Sequence, residues 1–309
     1  MAEHVMPTER IHHVWDPQLE PALSIASGDT VHYDIPMAGE GQVSLGDSYA
    51  DTSFDFDTIY NLAGPLSVEG AEPGDTLEIE ILRLEPGAWG WTAILPELGL
   101  LPDDFPEGYV RTFDLTKGDT TTLVDGVEIP IVPFFGTMGT APDIPAPQLP
   151  FPPHAGGGNM DTRHLTEGVT LYLPVLRPGA LFSVGDPHAA QGDGEVCVTA
   201  LECPMNASLR FTLRKRSIAA PSLRAPGALT PRADAGGYHL TMGIADDLME
   251  GARMAVRAMI DFVVEQAGTS REDAYVLCSL AGDLKILEIV DAGMWNVGMT
   301  MPMSVFTAR

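Results

Sequence analysis

Between residues 21 and 135, apolar and polar positions alternate in short runs that predict β-strands. The clearest run is Thr76 to Leu84. Leu77, Ile79, Ile81 and Arg83 share one parity there, and Glu78, Glu80 and Leu82 share the other. That period of two belongs to a half-buried strand. The run follows Glu72-Pro-Gly-Asp75, a turn in which Pro presets φ and Gly is free to take a positive one. Ser27-Gly-Asp29 stands before Thr30 to Tyr33 in the same way, and Lys117-Gly-Asp119 before Thr120 to Val124. The three units suggest many short strands, but they share too little to form a sequence repeat.

From Ile129 to Pro153 the chain is dense in proline, which removes donors and blocks helix, so an irregular loop packed on the body is expected. It leads into His154-Ala-Gly-Gly-Gly-Asn-Met-Asp161-Thr-Arg163. Strands are expected again over 169–175, 196–202 and 208–213, and irregular chain over 217–240. A helical stripe then runs through Ile244, Leu248, Ala252, Ala255, Met259 and Val263, at spacings of three or four. Asp246 and Asp247 fall in its first turn and Gly268 marks its end. A second helix is expected from Ser270, in Ser-Arg-Glu-Asp resembling a capping box, to about Leu280. Closing strands are expected over 285–290 and 297–306. The fold class is α+β, β-rich with sandwich- or barrel-like strands, a late helix pair and closing C-terminal strands. The chain divides into a β-rich part (1–135), a site-bearing β part with the Pro/Gly-rich loop (136–216) and an α+β part (217–309), read as one composite globular unit.

Charge narrows the partners. The 309 residues carry 43 acidic against 17 basic side chains, a formal charge of -26. Nucleic-acid binding needs Lys and Arg to displace counterions from phosphate, and anionic membranes select the same residues, so neither partner is expected. Three cysteines make no disulfide framework and no zinc-ribbon spacing, which fits a reducing compartment. No secretory signal opens the sequence and no apolar run is long enough to span a bilayer, so a cytoplasmic protein is expected.

The candidate chemistry sits in Leu171–Cys203, where Asp186, His188, Gln191, Asp193 and Glu195 crowd into ten residues between strand-like runs. Loops on a rigid scaffold are common places for catalytic groups. Carboxylate and imidazole suit a divalent metal, zinc first, and Asp186, His188 and Asp161 form the expected ligand set. Glu195 or Asp193 would then carry a proton, and Asn159 would stabilise an oxyanion. His154, Gly157 and Gly158 are the expected substrate contacts, because glycines let backbone approach a ligand closely. The alternative is a structural turn whose carboxylates cap backbone NH groups. A calcium-binding module without catalysis is a further alternative, although calcium prefers oxygen and tolerates His188 poorly. A phosphate cradle is disfavoured by the absence of a Lys-Ser/Thr ending. Cys197 lies in an apolar run and reads as packing, and no G-x-S-x-G elbow occurs. His12 and His13, beside Trp15, are candidates to face the site.

Several stretches are similar to the acetamidase/formamidase family: "GPLSVEGAEPGDTLEIEI" (64–81), "PFFGTMGTAP" (133–142), "GGNMDTR" (157–163) and "LFSVGDPHAAQGDGEVC" (181–197). "HHVWDPQLEPALSIASGDTV" (12–31) and "DLKILEIVD" (283–291) also fit. The resemblance implies hydrolysis of a short amide, such as formamide or acetamide, to ammonia and a carboxylate. It also implies a β-rich, cytoplasmic homo-oligomer (dimer or higher) that depends on a metal. The family blocks fall on Asn159, Asp161, Asp186, His188, Asp193 and Glu195. One departure stands out. Where many relatives have a Gly-Gly-Gln segment, this chain reads Gly41-Gln42-Val-Ser-Leu-Gly46-Asp47. That difference leaves open a larger or cyclic amide, or another C–N bond.

Overall fold

The computed structural model describes residues 1–226, 236–289 and 294–307. Two sheets carry most of the chain. The first has six strands in the order Glu3–Val5, Thr30–Ile35, Met205–Arg214, Thr76–Pro86, Thr170–Pro174 and Ser222–Arg224. The second has ten, with Phe182–Ala190 near its middle, flanked by Phe134–Gly139 on one side. On the other side lie Leu62–Val68 and then Leu201–Glu202. The sheets share a core. Phe182 of the second and Phe211 of the first meet edge to face with ring centroids 5.1 Å apart, amid Leu66, Ile79, Ile81, Val184 and Leu209. The arrangement is a sandwich, and no sheet among the described residues closes into a barrel.

The alternation over Thr76–Leu84 holds until a change of register. Leu77, Ile79 and Ile81 are buried, but Arg83 is exposed and Leu84 buried. The pairing shifts between Ser208 and Leu209 on the neighbouring strand, and such a bulge reverses which parity faces the core. The three Gly-Asp turns are present, with Gly28, Gly74 and Gly118 at φ of 99°, 94° and 96°, values open to glycine without strain.

Four expectations are corrected. The polar stretch expected to be a loop is largely a strand: Phe182–Ala190 is buried at all nine positions, so Asp186 and His188 lie inside the sheet. The following strand covers only Leu201–Glu202 and not 196–202. Within the proline-dense segment, Phe134–Gly139 is a fully buried strand because its six residues contain no proline. The first helix begins at Leu248, not Ile244. Asp247 is its N-cap, accepting from Glu250 N at 2.9 Å, while Ile244 ends up exposed on the Tyr238–Ala245 strand.

The helices Leu248–Ala267 and Arg271–Ala281 are followed by Asp283–Glu288 and Trp295–Pro302, which join Tyr238–Ala245 in a three-stranded sheet. Val290, at the end of one expected closing strand, and residues 227–235 of the expected irregular segment lie outside the described residues. Ser222–Arg224 gives that segment one short strand, and Tyr238–Ala245 begins within it. Only half the expected capping box forms. Ser270 accepts from Asp273 N, whereas the Asp273 carboxylate takes Arg111, Tyr109 and Thr269. No helix among the described residues is long and apolar enough to cross a membrane.

Candidate active site

Five acidic and imidazole side chains converge near the middle of the ten-stranded sheet. Strand pairing brings most of them there. His188 lies opposite Phe134 on one side and opposite Glu202 on the other. Asp186 projects from the same strand two residues earlier. Asp161 follows the short strand Gly157–Asn159, which pairs with Phe134–Gly139. Glu195 comes from the turn beyond Ala190. One side-chain oxygen or nitrogen from each of Asp161, Asp186 and His188 lies within 4.8 Å of the others, and the same holds for His188, Glu195 and Glu202.

His188 Nε2 is 3.3 Å from Asp186 Oδ2 and 3.3 Å from Glu202 Oε2. Neither approach has hydrogen-bond alignment: both ring nitrogens, Glu202 Oε2 and Asp161 Oδ1 are buried without a partner. Buried polar atoms normally find partners, so atoms that converge without pairing point at a common centre. Charge leads to the same place. Four carboxylates face one imidazole. Burial, together with repulsion from its neighbours, raises Asp161 and Asp186 each to about 6. Burial and then Asp161 push Glu195 well above the usual carboxylate value. Burial alone would lower His188, but Glu202 and Asp186 drive it well above an ordinary imidazole. The donor set therefore fits a divalent cation, which either Asp161, Asp186 and His188 or His188, Glu195 and Glu202 could hold.

The backbone is strained at this point. Asp161, Asp186 and Glu195 have φ of 43°, 55° and 43°. Each such residue costs about 1–3 kcal/mol and persists where its surroundings over-determine it. For Asp161 those surroundings are explicit. Its N–H donates to Gly136 O, its C=O accepts from Gln191 Nε2 at 2.7 Å, and Asn159 Nδ2 donates to its Oδ2 at 2.9 Å. Thr137 Oγ1 in turn donates to Asn159 Oδ1 at 2.6 Å. Gly136 forms the floor. A Cβ there would lie 2.6 Å from Asp161 Oδ1, 2.6 Å from Asp186 Oδ2 and 2.7 Å from His188 Cε1.

Of the other expected residues, Asn159 adjoins the cluster and the rest fall elsewhere. Asp193 turns from the cluster toward Arg163 and His164, each at 3.4 Å. Asn159 spends its amide on Asp161, Tyr60 and Phe151, which makes it a brace for the carboxylate. His154 packs edge-on against Trp15, with burial lowering it to about 4. Gly157 and Gly158 are occupied in strand pairing. His12 bridges Val14 O and Ser183 Oγ, and His13 reaches Tyr60 O, so both brace the fold from outside the cluster. Cys197 is buried and its thiol is pushed up by burial, as suits a packing residue.

Sequence reasoning missed Glu202 and Gly136. Glu202 left a signal, as a lone carboxylate in the apolar run Val196–Cys203. Gly136 left a fainter one, as a small residue inside Phe-Phe-Gly-Thr-Met-Gly.

Two cavities meet at the cluster. One, of about 750 Å³, is lined by Asn159, Asp161, Glu195, Leu100, Leu248 and Ile286 among others. The other, of about 480 Å³, reaches Asp186, Glu195 and Glu202 through largely apolar walls. Tyr60, Phe151, Glu195 and Val198 line both.

Comparison with known proteins adds a family. The sequence model of the acetamidase/formamidase family matches residues 2–150 and 148–308. A putative formamidase of Schizosaccharomyces pombe is 28% identical over 274 residues, covering 70% of this chain and 67% of that protein. An acetamidase of Mycolicibacterium smegmatis is 28% identical over 247 residues, covering 60% of this chain, and the chain spans 61% of that relative's length. Among solved structures, an acetamidase from Bacillus halodurans superposes with a TM-score of 0.69 at 30% identity, covering 98% of both chains. A γ-lactamase from Delftia acidovorans shares the fold, with a TM-score of 0.90 at 22% identity over 98% of this chain and 93% of that one.

Proposed function

The chain belongs to the acetamidase/formamidase family, and we propose that it hydrolyses the C–N bond of a carboxamide to ammonia and a carboxylate. The observation that carries this reading is the convergence of Asp161, Asp186, His188, Glu195 and Glu202 on one point between two cavities, with buried atoms left unpaired. Membership of the family and the names of its relatives support the amide as substrate.

Asp161, Asp186 and His188 would hold a divalent metal, with zinc the expected ion. Such an ion, when bound, supplies Lewis acidity, which polarises a carbonyl and acidifies water. The chain's own residues do the rest. Glu195 stands beside His188 and lines both cavities, so it can take a proton as water attacks the carbonyl carbon. The same carboxyl then gives that proton to the departing nitrogen as the C–N bond breaks. A carboxyl that borders both cavities and the acidic cluster suits this two-way role. Asp193, drawn aside by Arg163 and His164, is the weaker candidate. Asn159 fixes Asp161 through its amide and so holds the ligand in place.

The test is ammonia release from formamide and acetamide by the purified protein and by Glu195→Gln. Release by the parent chain with a loss of about 100-fold or more in the variant supports the reading. Unchanged turnover in Glu195→Gln would remove that residue from the mechanism. A calcium module without catalysis would bind calcium tightly and release no ammonia.

A further inference from the structure

The walls of the 480 Å³ cavity specify the acyl group. Apart from Asp186, Glu195 and Glu202 at its inner end and Thr199, the cavity is lined by apolar or aromatic side chains, including Phe56, Ile59, Tyr60, Trp91, Leu95 and Phe151. Among the described residues, no Lys, Arg or His lines it. Away from the acidic cluster, most polar handles of the wall are turned away or already used. Trp91 Nε1 donates to Ala38 O at 3.1 Å. Tyr60 Oη accepts from Asn159 Nδ2. Thr199 Oγ1 accepts from Ala93 N and donates to Ala93 O at 2.8 and 3.0 Å, and Thr92 Oγ1 lies 2.9 Å away. The rings themselves form one aromatic surface, with Phe151 against Tyr60 at 5.2 Å and against Phe56 at 6.1 Å.

This volume is far more than a small amide fills. Acetamide has four heavy atoms, roughly 120 Å³ at the ~30 Å³ that liquid water allots each molecule. Cavities of several hundred Å³ with apolar walls and few polar groups suit ring-sized ligands.

We propose that this chain prefers a carboxamide bearing a bulky, uncharged apolar acyl group, aromatic or alicyclic, seated between Phe56, Tyr60, Trp91 and Phe151 with its amide carbon at the acidic cluster. The proposal rests on the amide-hydrolase reading above and names its substrate class. One exclusion follows. A carboxylate on the acyl group would be carried into the apolar wall, where the described residues supply no cation to receive it.

The experiment is kcat/KM for ammonia release across formamide, acetamide, butyramide, cyclohexanecarboxamide, phenylacetamide and succinamate. At about fourfold per buried methylene, butyramide is expected about 15-fold above acetamide, and phenylacetamide, with the gain of a buried aromatic side chain, about 10- to 100-fold above acetamide. Succinamate falls well below phenylacetamide. Leu95→Trp, which narrows the cavity, is expected to lower the phenylacetamide-to-acetamide ratio about tenfold. Cleavage of acetamide with a flat or falling series in the parent chain overturns the proposal and leaves amide hydrolysis standing. A parent chain that cleaves succinamate best also overturns it. No ammonia from any member overturns the amide reading, and the proposal with it.

Discussion

Glu202 lies directly opposite His188 on the neighbouring antiparallel strand, and its Oε2 is 3.3 Å from His188 Nε2 with neither atom hydrogen-bonded. The other Glu202 oxygen accepts from Ala200 N at 3.1 Å, which fixes the carboxylate's rotation. A buried carboxylate held against a buried imidazole favours that ring's charged form. Glu202→Gln keeps the shape and removes the charge. It is expected to lower kcat/KM for amide hydrolysis about 10- to 100-fold and to weaken divalent-metal binding. Unchanged kcat/KM and metal content in the folded variant would leave Glu202 a structural residue only.

Gly136 offers a sharper steric probe. A methyl group there would press on Asp161, Asp186 and His188 at once, at 2.6–2.7 Å. Displacements of about 1 Å at a reacting centre cost roughly 100-fold in rate. Gly136→Ala is therefore expected to lose at least that much activity while retaining its circular dichroism spectrum. An active Gly136→Ala enzyme would show that the convergence at this floor is not the reacting centre.

The turn that carries Glu195 is tied to the C-terminal part of the chain. Asp283 Oδ1 accepts from Asp193 N at 3.0 Å, and its Oδ2 accepts from Arg163 at 2.8 Å. Leu284 N donates to Asp193 O, and Gly192 N to Ser279 O. Asp283→Ala leaves a largely buried guanidinium and an amide short of a partner, at a cost of about 2 kcal/mol. The expected outcome is a lower melting temperature together with reduced turnover, because Glu195 and Asp161 flank these anchors. Asp193→Asn removes only partly exposed ion pairs, which are worth less than about 1 kcal/mol, and turnover within about threefold of the parent is expected. A collapse of turnover in Asp193→Asn with normal stability would instead restore Asp193 as the proton carrier.

Protonation gives the metal-free protein a distinctive pH response. Asp161 and Asp186 stand at about 6, raised first by burial, against about 3.9 in an unfolded chain. Between those values the folded chain binds more protons than the unfolded one, so stability falls as pH rises through the window. Glu195 and His188 are also raised. The raised carboxyl again disfavours folding at higher pH, and the raised imidazole loses its stabilisation as pH climbs through its folded value, so both share that sign. His12 and His154, lowered to about 4 by burial, contribute the opposite sign over part of this range, so the cluster's share is read as a difference between two proteins. Chelated Asp161→Asn is expected to gain more melting temperature, or lose less, between pH 5.5 and pH 7.5 than the chelated parent. An identical change in the two proteins would contradict the electrostatics described for the cluster.

Much of this was legible in the chain. Thr76–Leu84 announced its strand through period two, and the second helix announced its start through Ser270. The residues Asp161, Asp186, His188 and Glu195 stood out by type and by family resemblance. What stayed hidden was mostly long-range. Phe182–Ala190 is buried on both faces, so it shows no alternation, and its Gly-Asp-Pro-His core carries the local signals of a turn. Ile244 continued the helical stripe by spacing alone, although pairing with Asn296 holds it in a strand. Glu202 entered the site through strand register, which no local pattern encodes. Asp193, two residues from Glu195 in sequence, was drawn aside by Arg163 and His164, partners some thirty residues away.

The most direct test joins metal content to turnover in one sample. Purified protein is analysed for bound divalent metal, assayed for ammonia release from acetamide and phenylacetamide, treated with chelator, and assayed again after adding back zinc. The expected result is a bound cation, activity abolished when it is removed and restored on its return, and neither binding nor restoration in His188→Ala. Full turnover by protein proven free of metal, or by His188→Ala, would contradict the account.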